Sequence, residues 1–295
     1  MNPKTFAALL SVISNSVLVI LKVLVGTMIG SVSIISEAIH SGIDLIASVI
    51  ALFSVRLASV PADEDHTYGH GKIENVSGTV EAILIFVAAL LIVKEAVEKL
   101  QHPAPMGSLD WGLLVMLVGS AANAGISAYL FKVAKQTDSV ALEADAHHLS
   151  VDVYTSLGVF VGLLLVRVTG WTILDPIAAL LVAGLIVKIA WEITQKSFGP
   201  VIDSCLPTEE MDQIKATIHS FGDQILEYHK LRARKAGAER QVDLHITVDE
   251  ALSAKEAHEI ADRLELRLAE VLGNATVVIH VDVAPRLRPE GPSPS

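Results

Sequence analysis

Apolar residues run almost unbroken through six stretches of the chain, near 6–28, 32–55, 76–99, 112–133, 145–168 and 175–196. Each reaches the ~20 residues that an α-helix needs to cross the hydrocarbon core of a bilayer. The pattern therefore predicts six transmembrane helices over residues 1–200. Turn-forming residues separate them: Gly26 and Gly30, the polar segment 61–71, His102-Pro103-Ala104-Pro105, and Gly170-Trp171 with Asp175-Pro176. The first run follows Lys4 but is too long for a signal peptide, and no small-residue cleavage site comes before the next run, so it is expected to remain as a span.

The periodicity changes after the linker 200–207. Residues 208–220 suit a short helix, and 225–234 and 239–249 suit a hairpin around Lys235-Ala236-Gly237. Val242, Leu244, Ile246 and Val248 alternate with polar residues, the period of a half-buried strand. Ser253 with Glu256 forms a capping box, after which Ile260, Leu264, Leu268 and Val271 recur at helical spacing. A last strand is expected over 276–283. The fold class is thus an α-helical membrane protein of six spans, followed over 207–283 by an αββαβ domain of the α+β class, an open-faced ferredoxin-like sheet with helices on one side. The tail 284–295 is too polar to pack and is expected to be disordered.

Composition agrees with this division: 52% of residues are apolar and the mean hydropathy is +0.52. The formal charge is −11, and the soluble stretch 207–283 carries 15 acidic against 9 basic residues. An acidic surface disfavours nucleic acid or anionic lipid headgroups as ligands and suits cations. The single cysteine, Cys205, excludes a disulfide framework and a thiolate metal cluster within one chain, so metal ligands would have to be histidine and carboxylate. Six spans put both termini on one side of the membrane. Lys4, Arg56, Lys72, Lys132, Lys135 and Lys196 fall there, against Lys94, Lys99 and Arg167 opposite, so the termini are expected in the cytoplasm.

The polar residues inside the spans carry the chemistry. The second span contains His40-Ser-Gly-Ile-Asp44 and the fifth His148-Leu-Ser-Val-Asp152. Four residues make about one helical turn, so each pair projects from one face. Two such helices meeting would supply two imidazoles and two carboxylates, enough for a closed tetrahedral zinc site. An isolated intramembrane His or Asp is often a packing residue, but ionisable groups at this depth are costly and mark pathways. Each pair lies in the middle span of a three-span unit, as an inverted repeat would have it. Lys22 and Glu81 also lie within spans, where they could pair or line an aqueous cavity.

The double His-x-x-x-Asp, the loop Asp63-x-x-His66-x-x-x-His70-Gly71-Lys72 and the His-x-Asp at 280–282 together resemble the cation diffusion facilitator family, over residues 6–283. The resemblance implies a homodimeric antiporter that exchanges a divalent metal for protons, with a cytoplasmic metal-binding domain. It implies a transport site of His40, Asp44, His148 and Asp152, and a loop site of Asp63, His66 and His70. Some bacterial relatives carry Asp where His40 stands, and the histidine favours zinc over cadmium; iron and cobalt stay open as alternatives. In the soluble domain His245 faces the polar side of its strand, and His280 and Asp282 share a face. The resemblance adds His229 and His258 to that set. It also pairs Lys72 with Asp203 where the membrane half meets its neighbour, and implies a bacterial inner membrane as the location. His102, His147 and His219 are left unassigned.

Metal and protons compete for imidazole and carboxylate, so one site can exchange them as it changes the side it faces. Two rival readings are an intramembrane metallohydrolase and a metal-sensing membrane scaffold. The first needs an open coordination position and a general base such as His-Glu-x-x-His, which the chain lacks. The second leaves the intramembrane pairs without a role.

Overall fold

A computed structural model describes residues 2–30, 32–101 and 111–284. The expected break at His102–Pro105 and the tail from residue 285 lie outside them. Six long helices come first: α1 (Pro3–Ile29), α2 (Val32–Ala58), α3 (Lys72–Gln101), α4 (Trp111–Thr137), α5 (Val140–Thr169) and α6 (Leu174–Val201). Gly26 lies within α1 and Asp175-Pro176 within the first turn of α6, so neither forms the turn expected of it.

Helix is the form that satisfies every backbone N–H and C=O inside lipid. Within the described residues five helices, all but α4, are long and apolar enough to cross a membrane; α4, with 27 residues, is the sixth. Large apolar side chains such as Val17, Leu21, Leu24, Leu90 and Leu91 face outward. The seams are lined by small ones, among them Ala7, Ala8, Ala82, Ala89, Ala141, Ala144 and Ala190. At Gly78 a Cβ would stand 2.6 Å from Ser197 Oγ and 3.2 Å from Ser197 Cβ and Val140, so a larger residue would have to push both aside where α3 approaches α6.

Residues 202–284 form a second compact unit. It contains α7 (Thr208–His219), β1 (Glu227–Ala236), β2 (Glu239–Val248), α8 (Ala254–Leu272) and β3 (Ala275–Val283). The sheet order is β1-β2-β3, with β1 antiparallel and β3 parallel to β2. Parallel pairing of β2 and β3 requires a crossover, and α8 supplies it. Val242, Leu244, Ile246 and Val248 pack with Ile214, Ile218, Ile260, Leu264 and Leu268, so α7 and α8 cover one face of the sheet. The opposite face carries Asp243, His245 and Thr247, as alternation along β2 dictates.

Candidate metal-binding clusters

The intramembrane histidines and carboxylates meet crosswise. His148 Nε2 lies 3.0 Å from Asp44 Oδ1, and His40 Nε2 lies 3.9 Å from Asp152 Oδ1. One step further, Ser48 Oγ donates to Asp145 Oδ1 at 3.3 Å. Positions rise along α2 while they fall along α5, so the helices run antiparallel. Two motifs read in the same chain direction then place each histidine beside the other motif's aspartate. His40, Asp44 and Asp152 each bring a ligand atom within 4.8 Å of the others, and His148 joins through Asp44. The donor set of two imidazoles and two carboxylates fits a tetrahedral divalent ion.

Several partners had no sequence signal beyond their polarity. Asn123 of α4 donates to Asp152 Oδ2 at 3.0 Å. Asn15 and Ser11 of α1 bond to Ser48. Lys22 donates to Ser41 Oγ at 2.7 Å, beside His40. Glu81 accepts from Ser77 at 3.4 Å. The structure sends His147 away from its neighbour His148, edge-on to the Phe131 ring at 4.7 Å.

The second cluster is built by the loop between α2 and α3. Asp63 Oδ1 accepts from the backbone N–H of Asp65 and of His66, at 3.1 and 2.7 Å. Those bonds fix the carboxylate so that His66 Nδ1 and His70 Nε2 reach it at 3.3 and 3.4 Å. The His66 amide also holds the Asp63 carboxyl below its ordinary 3.8. Gly69, at φ +74°, turns the chain so that both rings come to one side. Lys72, at the start of α3, reaches the Val201 carbonyl at 3.5 Å.

The third cluster lies on the open face of the sheet. His229, His245 and His280 sit in register across β1, β2 and β3. Their rings lie in a row, tilted to one another by 42° and 45°, with centroids 5.1 and 4.5 Å apart. Asp282 is the shared acceptor, 2.9 Å from His245 Nδ1, 3.2 Å from His229 Nε2 and 3.4 Å from His280 Nε2. The bond from His245 holds the Asp282 carboxyl below 3.8. A bulge between His229 and Arg232, with Lys230 at φ +51°, decides which residue joins the row. Arg232 pairs with Asp243, so regular register would bring Lys230 opposite His245; one extra residue brings His229 there instead.

The structure does not bring His258 to this row. It stands on the exposed side of α8, 3.6 Å from Asp262, while α8 covers the other sheet face. Asp203 pairs with Arg234 at 3.0 Å. His219 is tied to the Lys215 carbonyl at 2.6 Å.

Residues 8–199 match the family model described as the cation efflux transmembrane domain. Residues 206–284 match that of the cytoplasmic domain of cation efflux proteins. The cation-efflux pump FieF of Shewanella oneidensis is 31% identical over 272 residues, covering 92% of this chain and 91% of its own. An uncharacterised transporter of Synechocystis is 32% identical over 253 residues, 86% of this chain and 82% of that one. One from Methanocaldococcus jannaschii is 30% identical over 275 residues, 93% and 96% of the two chains. A solved structure of a candidate zinc transporter, CzrB, is 32% identical, covers 27% of this chain and 99% of its own, and has a TM-score of 0.26.

Proposed function

This chain belongs to the cation efflux family, a family of multi-pass membrane transporters and not of enzymes, and we propose that it exports zinc in exchange for protons. The observation that carries the reading is the crossed pairing of the two His-x-x-x-Asp motifs. With no ion bound, each imidazole has an acidic partner, an arrangement that suits protons. With an ion bound, the same donors suit a small tetrahedral cation. Two nitrogens and two oxygens favour zinc over the larger and softer cadmium, and a tetrahedral set suits zinc over iron and cobalt because its filled d shell carries no ligand-field cost in that geometry. Because binding an ion displaces protons, the site exchanges one for the other whenever it changes the side it faces.

Residues 1–200 are the transport domain in this reading, and 207–283 are a cytoplasmic domain that binds zinc and holds two copies together. Both termini then lie in the cytoplasm of a bacterial cell, and the chain spans the inner membrane. Asp63, His66 and His70 receive the ion on the cytoplasmic side. His229, His245, His280 and Asp282 hold a regulatory ion, for which four donors on one open face are a fit set. His258 cannot join them from its own α8, which supports a second copy as the only route by which it contributes. Lys72 and Asp203 would tie the two halves at the cytoplasmic surface in the working dimer.

Flux in proteoliposomes tests this. Zinc uptake driven above equilibrium by an opposing proton gradient is the expected result. Zinc movement indifferent to that gradient would overturn proton exchange, and no movement of any divalent metal would overturn the whole reading.

A further inference from the structure

The polar interior does not stop at the crossed motifs. One step along α5 from His148 towards the loop end of the helix stands Asp145, and across the α3–α5 seam stands Glu81. Both are fully buried, at 0% exposure. Each has one oxygen bonded only to hydroxyls: Ser48 for Asp145, Ser77 for Glu81. The second oxygens, Asp145 Oδ2 and Glu81 Oε2, are buried without a hydrogen-bond partner among the described residues. Their neighbours Ala82 and Ala144 pack in one buried cluster at that seam. Buried carboxylates with orphaned oxygens are expensive, and inside a membrane they mark ion pathways and functional sites.

Their position names the ligand. On α3, Glu74, Ser77 and Glu81 share one face at helical spacing, and Glu74 is bonded to Lys4 and Ser139 at the ends of α1 and α5. Polar groups therefore step inward from Glu74 to Glu81, to Asp145 with Ser48, and then to Asp44 with His148. We propose that Glu81 and Asp145 form a second intramembrane divalent-cation site, of oxygen donors alone, through which the cargo passes between the loop side and the crossed motifs. Two carboxylates neutralise a divalent ion, which would give the orphaned oxygens a partner, while Ser48 and Ser77 offer neutral oxygens beside them. An oxygen-only set binds transition metals less tightly than one with imidazole, so an ion pauses here and moves on. The inference rests on the transport reading, but its test does not depend on transport.

Manganese, which prefers oxygen and is visible by electron paramagnetic resonance, is the probe. It is added to the purified full-length protein carrying Asp63→Ala, Asp152→Asn and Asp282→Ala, which disable the three histidine clusters. One Mn2+ per chain is expected, and Glu81→Gln or Asp145→Asn should weaken it at least about tenfold, since carboxylate count sets the affinity of oxygen sites. Glu81→Asp keeps the charge and should keep binding, which separates loss of a ligand from loss of the fold. No Mn2+ bound in the starting protein, or equal binding with and without Glu81→Gln, overturns the site. Restoring Asp152 must bring back a zinc site; its failure to appear would count against the transport reading, whatever manganese reports.

Discussion

His148 places its Nε2 3.0 Å from Oδ1 of Asp44, a residue 104 positions earlier and on a helix running the other way. The pairing makes composition insufficient and orientation decisive. A double variant His148→Asp with Asp152→His keeps every ligand type but sets carboxylate against carboxylate and imidazole against imidazole. Zinc flux should fall below about a tenth of normal, the loss expected when a site is misplaced by about an ångström or more. Adding His40→Asp with Asp44→His restores opposite partners and should recover flux. Single Asp44→Ala or Asp152→Ala variants should lose it outright while remaining folded. Flux retained by the first double variant would mean that the crossed pairing does not build the site.

His40→Asp exchanges a nitrogen donor for oxygen and relaxes the tetrahedral preference. The ratio of zinc to cadmium flux should fall. An unchanged ratio would remove His40 from control of selectivity.

Acidifying the side that receives the ion should speed export, because the ligands must take up protons to let it go. The effect should appear between about pH 6 and 8, where imidazole ordinarily titrates. Flux measured at fixed internal pH across that range is the check, and a flat profile would contradict exchange.

In the soluble domain, Asp282→Ala removes the acceptor shared by three imidazoles and should lower both the affinity for zinc and its stoichiometry. In the full chain the same change should slow transport without abolishing it. Lys230 tests the bulge separately. Lys230→Gly accepts φ +51° and should keep zinc binding, whereas Lys230→Val opposes that conformation and should weaken it as His229 leaves the row. Calorimetry of the domain from residue 207 reads both. Equal affinity for the two Lys230 variants would mean that the bulge does not place His229.

The α8 cap gives a stability test away from any metal. Ser253 accepts from the Glu256 amide, and Glu256 returns the bond to the Ser253 amide at 2.8 Å. Ser253→Ala should cost about 1 kcal/mol. The Ser253 amide, and beside it the Ser253 hydroxyl donating at 2.7 Å, hold the Glu256 carboxyl below its ordinary 4.5, and Ser253→Ala removes the second of these bonds. The folded state therefore releases that proton more readily than the unfolded one. The contribution is fully present above pH 4.5 and is lost as pH falls through the lowered value. Denaturant midpoints of the domain at neutral pH and at about pH 3 should show the Ser253→Ala penalty shrinking in acid.

How much of this was legible in the chain varies with the kind of signal. Six apolar runs, the αββαβ order and the two His-x-x-x-Asp pairs could be read directly, because helix, strand and ligand spacing are local properties with fixed periods. The alternation of Val242, Leu244, Ile246 and Val248 already put His245 on the opposite face. The partners were another matter. Nothing local in α2 says that Asp44 will meet His148, since that depends on two helices running antiparallel in register. Asp145, Asn123 and Ser48 are single polar residues without a period, and packing alone gives them neighbours. Lys230 and His229 are adjacent in the sequence and equally able to face β2; one extra residue in β1 chose the histidine. His258, in turn, was grouped by resemblance with residues that its helix keeps on the far side of the sheet. Spacing along one element fixes which side chains share a face, but which faces meet is settled by how apolar surfaces pack over long separations.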